Sequence, residues 1–129
     1  MVYIQLNENK DDLEIINAGH LPPVVIKEGK LVKLEKGNVA LGLIGDTKFK
    51  SEIIDLKKDD YFIAFSDGVT EARNVTGNFL GTERLFSSLE KLTYTTPEEL
   101  GKKILQQVKH FIGDAKTHDD LSIIILKRN

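Results

Sequence analysis

Three aspartates stand against apolar strands in this 129-residue chain, and they are the residues best placed to do chemistry. Asp67 follows the run Tyr61, Phe62, Ile63, Ala64, Phe65, with Ser66 between and Gly68 directly after. Asp119 and Asp120 precede the run Leu121 to Leu126. A carboxylate at the end of a buried strand must be solvated, capped or paired with a cation. If the two strands are antiparallel neighbours, the end of one and the start of the other share an edge, and Asp67 and Asp119 converge there. Hard divalent cations such as Mg²⁺ and Mn²⁺ take oxygen ligands and keep several waters, so a few carboxylates suffice to hold them. Two such ions close together activate a water and clamp a phosphate oxygen. Glycine after Asp67 lets backbone or ligand approach closely. Asp-Gly is equally an ordinary turn dipeptide, so spacing alone leaves both readings open.

The elements that would position these residues follow from hydrophobic period. "VYIQLN" (2–7) and "LEIINA" (13–18) flank a polar stretch and read as a hairpin. Val24 to Ile26 and Leu31 to Leu34 flank Glu28-Gly29, a second, tighter one. A glycine-punctuated loop follows, then strands in "FKSEIIDLK" and "DYFIAFSD", separated by Lys57 to Asp60. The period then changes. Leu85, Phe86, Leu89 and Leu92 lie on one helical face. A second helix opens at Thr96 as N-cap, with Pro97 in the first position and Glu99 completing a capping box. Its apolar stripe is Leu100, Ile104, Val108, Phe111 and Ile112, and Gly113 stops it. The final run, Leu121 to Lys127, is continuously apolar and suits a central strand covered on both faces. Strands first, then helices and a closing strand give an α+β layout.

Composition narrows the function classes. The chain has the size of one ordinary domain, and 40% hydrophobic with 29% charged residues is the balance of a globular protein. A net charge of −2 supplies no basic field for nucleic acid or anionic lipid, so neither a nucleic-acid nor a membrane partner is expected. Absence of cysteine excludes disulfides and thiolate metal sites, and fits a reducing, cytoplasmic setting.

Taken in order, "NAGHLPPVV" (17–25), Leu41-Gly42, "FSDGVTEARN" (65–74), "GNFLGTERL" (77–85) and "HDDLSIIIL" (118–126) resemble the SpoIIE-like branch of the metal-dependent, PPM-type serine/threonine protein phosphatases. The resemblance covers the chain from about Leu13 onward. It implies two packed antiparallel sheets flanked by helices, with a metal centre at one edge between them. Asp67 then matches the aspartate of the "SDG" motif, a metal ligand, and Asp119 the first aspartate of the "DD" motif, another. No catalytic group is implied beyond those ligands. Gly68, His118 and Asp120 stand beside them, where they would support the site without holding the ion. The implied chemistry is direct attack of a metal-activated water, with two Mn²⁺ or Mg²⁺ ions in the complete site, on a phosphoserine or phosphothreonine. The implied substrates are small phosphoproteins that control sigma factors, of the anti-sigma-factor antagonist type.

One departure qualifies this expectation. The family's earlier motif, an aspartate followed by a "G-K-G" or "G-H-G" turn, has no counterpart among Asp11, Asp12, Asp46, Asp55, Asp59 and Asp60. Residues 1–129 are therefore expected to form a single domain incomplete at its N-terminus, without the front strands and first helix. Exposed sheet edges and faces would then favour self-association. The alternative function is a non-catalytic phosphatase-like interaction domain, or an inactive fragment lacking the front ligands. Of the remaining polar residues, His20 in "GHLPP" is expected to order a loop, His110 to complement a helix C-terminus, and Arg73 to pair with Glu71 rather than with phosphate.

Overall fold

The computed structural model describes residues 1–7, 10, 12–116 and 119–129. β1 (Val2–Leu6) and β2 (Asp12–Asn17) pair antiparallel from Val2 with Asn17 to Leu6 with Leu13. β3 (Val24–Lys27) and β4 (Lys30–Lys33) form the second hairpin. Its turn residues Glu28 and Gly29 have φ of 50° and 77°, the two left-handed conformations that a two-residue hairpin loop requires. β5 (Glu52–Asp55) returns beside β2, giving a three-stranded sheet in the order β1-β2-β5. β6 (Tyr61–Phe65) and β7 (Ile123–Lys127) complete a four-stranded sheet in the order β4-β3-β6-β7, antiparallel throughout.

β6 explains why the two sheets stack. All five of its residues are buried, so both faces must be covered. Phe62 and Ala64 meet Leu13, Ile15 and Ile54 of the three-stranded sheet. Tyr61, Ile63 and Phe65 belong to a second core with the helices. Those helices are a single turn, α1 (Asp67–Thr70), then α2 (Thr82–Leu89) and α3 (Pro97–Ile112). α2 buries Leu85, Phe86 and Leu89, and α3 buries Leu100, Ile104, Val108 and Ile112, as their helical spacing predicts. The result is three layers: helices, four-stranded sheet, three-stranded sheet.

Local signals act as expected at α3, with one displacement. The Thr96 side chain accepts from the Glu99 N–H at 3.1 Å, Pro97 opens the helix, and Gly113 closes it at φ 57°. The Glu99 carboxylate accepts from the N–H of Thr95 at 3.0 Å rather than from that of Thr96, so the reciprocal half of the box sits one residue upstream.

The final strand corrects the sequence reading. β7 is not central but forms an edge of its sheet, hydrogen-bonded among the described residues to β6 alone, and Ile124 is 58% exposed. Apolar content measures how much surface a strand can bury, not whether a neighbour is present to bury it. Ile125 packs against the helical core, beside Gly101 of α3. The far pairing side of β7 meets no other strand among the described residues.

Candidate metal centre

The antiparallel pairing of β6 with β7 brings the carboxylates to one edge. Phe65 lies opposite Ile123 at the last rung. Beyond it, the Ser66 N–H donates to the Ser122 carbonyl at 2.9 Å, and the Ser122 N–H donates to Ser66 Oγ at 3.1 Å. Ser66 Oγ itself donates to the Asp120 carbonyl at 3.3 Å. One serine thus ties the strand that delivers Asp67 to the segment that delivers Asp119 and Asp120.

Past Ser66 the chain turns into α1, a helical turn that the sequence reading did not include among its helices. Asp67 is the first helical residue, and its carbonyl accepts from the Glu71 N–H at 2.7 Å. A Cβ built on Gly68 would stand 2.2 Å from the Asp120 carbonyl oxygen and 3.6 Å from Asp119 Cβ. Only glycine fits there. That contact places Asp119 against the residue next to Asp67.

Both carboxylates are exposed and lightly used. Asp67 Oδ1 accepts from the Gly68 N–H at 3.0 Å, and Asp119 Oδ1 accepts from the Asp120 N–H at 2.8 Å. The second oxygen of each has no protein partner among the described residues. Exposed carboxylates with spare lone pairs, set at one sheet edge, have the donor chemistry for a hard divalent ion that keeps part of its water. Among the described residues no three acidic or histidine side chains cluster closely enough to hold a metal by themselves. Asp67 and Asp119 would therefore supply part of a coordination shell.

The other predicted positions divide. Asp120 contributes its backbone, accepting from Ser66 and closing on Gly68. His118 lies outside the described residues. His20 orders its loop, as expected: its N–H donates to Asn17 Oδ1 at 2.8 Å, and its Nδ1 lies 2.8 Å from the Leu21 carbonyl oxygen. His110 sits in the last turn of α3. Arg73 departs from expectation. It forms no ion pair with Glu71; its guanidinium lies 4.6 Å from the centroid of the Phe79 ring.

Asp60 was legible only as a turn residue, yet it is 3% exposed. Its carboxylate accepts from the N–H groups of Lys57 and Glu28, at 2.9 and 3.2 Å, and so pins the turn that starts β6 to the β3–β4 hairpin. The partner at Glu28 is remote in sequence, and no local signal announces it.

Two clefts flank β6, one at each end. One of about 260 Å³ opens beside Gly68 and Asp119 and is lined also by Glu71, Arg73, Phe79, Lys116 and Leu121. A larger one, about 490 Å³, lies at the opposite end of β6, around Tyr61, Tyr94, Asp59 and Lys127. There Lys127 Nζ lies 2.9 Å from Asp59 Oδ1, and that hydrogen bond lowers the Asp59 carboxyl pKa and raises that of Lys127. Partial burial raises the Tyr94 phenol. That end is remote from the paired aspartates.

Comparison with known proteins speaks to the family and the fold. A family model described as Stage II sporulation protein E (SpoIIE) matches residues 1–129. Over 130 residues the chain is 32% identical to the phosphoserine phosphatase RsbU of Bacillus subtilis (strain 168), covering 99% of this chain and 38% of RsbU. The SiaA-PP2C domain of Pseudomonas aeruginosa superposes with a TM-score of 0.82 at 16% identity, over 99% of this chain and 51% of that one. The Mn-presoaked phosphatase domain of SpoIIE from Bacillus subtilis gives a TM-score of 0.75 at 17% identity, over 100% and 56% respectively. The chain thus spans about half of these solved domains and under two fifths of RsbU. At such identities the structural likeness speaks for the fold.

Proposed function

The chain belongs to the SpoIIE family, and from that premise we propose that it acts in a PPM-type protein serine/threonine phosphatase, contributing Asp67 and Asp119 as metal ligands. Residues 1–129 contribute to a single phosphatase-type domain, whose ligand shell these two carboxylates fill in part. The observation that carries the reading is the contact of Gly68 with Asp119 and the Asp120 carbonyl, which sets both aspartates at one edge. Bound Mn²⁺ or Mg²⁺ would supply an activated water and charge neutralisation for phosphoryl transfer to that water. The chain's own residues do the rest. Ser66 fixes the register between the two ligand segments, and α1 holds Asp67 at the rim. Gly68 lets the Asp120 carbonyl close on α1.

The substrate on this proposal is a phosphoserine or phosphothreonine of a regulatory protein in sigma-factor control, an anti-sigma-factor antagonist. The likeness to phosphoserine phosphatase RsbU supports it. A cytoplasmic location is part of the proposal, and no helix among the described residues is long and apolar enough to cross a membrane. Turnover of an aryl phosphate with Mn²⁺ tests the assignment. Asp67→Asn should reduce the metal-dependent rate to background while the circular dichroism spectrum stays unchanged. Undiminished turnover in that variant would remove Asp67 from the site.

A second reading, a phosphatase-like interaction domain without catalysis, draws on the same partial ligand set, since no group of three candidate ligands gathers among the described residues. It predicts no affinity for Mn²⁺.

A further inference from the structure

The cleft beside Asp119 has a built cationic wall that the metal ligands do not explain. Arg73 and Phe79 face each other across an isolated antiparallel bridge. The turn between them is closed by Asn74, whose side-chain Oδ1 accepts from the N–H groups of Thr76 and Asn78 and from the Thr76 hydroxyl. The base of this hairpin is tied to α1: the Leu80 N–H donates to the Ala72 carbonyl and the Gly81 N–H to the Thr70 carbonyl, both at 2.8 Å. Arg73 is therefore held over an aromatic ring on a hairpin braced against the helix that begins with Asp67. A guanidinium stacked in this way keeps its N–H edge available for a bidentate acceptor.

Among the described residues neither Arg73 nor Lys116, which also lines the cleft, forms an ion pair. Two carboxylates also line the cleft, Glu71 and Asp119, so its formal charge balances. A divalent cation at Asp119 would tip that balance positive. We infer that the Arg73–Phe79 hairpin and Lys116 form the subsite that receives the phosphomonoester dianion of a phosphoserine or phosphothreonine, next to the metal ligands. This rests on the phosphatase reading and adds to it the residues that determine specificity for phosphate. Arg73 meets the dianion as a fork, Lys116 as a point charge, and Phe79 with Leu121 offers apolar surface to the residue beside the phosphoamino acid.

The test is a titration of the ¹⁵N-labelled chain with O-phosphoserine, followed by amide and Arg73 Nε shifts, with and without Mg²⁺. Shifts should centre on Gly68, Arg73, Phe79, Lys116 and Asp119, grow tighter with Mg²⁺, and be absent with serine. Arg73→Ala should weaken binding about tenfold, and Arg73→Lys by less, since it keeps the charge and loses the fork. The amide spectrum of each variant reports whether it is folded. Unchanged affinity in Arg73→Ala, shifts centred elsewhere, or no binding by the Mg²⁺-loaded chain would overturn the inference. If Mg²⁺ perturbs Asp67 and Asp119 while Arg73→Ala changes nothing, the subsite fails and the phosphatase reading survives. If phosphoserine engages Arg73 while Mg²⁺ binds nowhere, the subsite stands and the metal-dependent reading falls.

Discussion

Gly68 shows how little room separates chemistry from backbone at this edge. Its missing side chain is what lets the Asp120 carbonyl close on α1 and brings Asp119 beside Asp67. Gly68→Ala must displace main chain rather than a flexible side chain, so it should cost about 1–3 kcal/mol, read as a lower urea midpoint with the slope preserved. A midpoint equal to wild type would mean the two segments are not in contact. The aspartates themselves were legible in the sequence, because a carboxylate at the end of an apolar strand asks for a reason. Arg73 was not: the sequence shows a nearby Glu71 but cannot show that Phe79 folds back beneath the guanidinium. Asp60 was missed for the same reason, its partner Glu28 being 32 residues away.

At the scale of elements, local rules carried most of the reading. Both hairpins, the β5 and β6 strands and the two longer helices follow from period, turn residues and caps, all short-range signals. The α3 N-cap permits a direct check. Thr96→Ala removes the oxygen that accepts from the Glu99 N–H, and should cost about 1 kcal/mol in thermal or urea unfolding. No measurable loss would show that the Glu99 contact to Thr95 sustains the helix start by itself. β7 marks the limit of such signals. Its sequence is that of a strand buried on both sides, and the period carries no information about how many neighbours it finds. The one-turn α1 is likewise too short for any periodic pattern to reveal.

At the scale of the whole molecule, β7 leaves one side of its sheet open among the described residues. β7 has no proline and a single charge, Lys127 at its end and paired with Asp59, whereas β4 presents Lys30 and Lys33, and β5 is bounded by Glu52 and Asp55. An edge guarded only at one end favours pairing with another chain. Sedimentation velocity should therefore show concentration-dependent self-association, and Ile124→Lys, at an already exposed position, should shift it toward monomer. A wild-type monomer at every concentration would show that the edge is protected. The central claim is that Asp67 and Asp119 grip a divalent ion together, and Mn²⁺ calorimetry on the wild type, Asp67→Asn and Asp119→Asn tests it most directly. Shared coordination predicts a binding isotherm for the wild type and at least about tenfold weaker binding in each variant, the loss expected for a charged ligand. An isotherm unaltered by either substitution, or no heat of binding in the wild type, would contradict it.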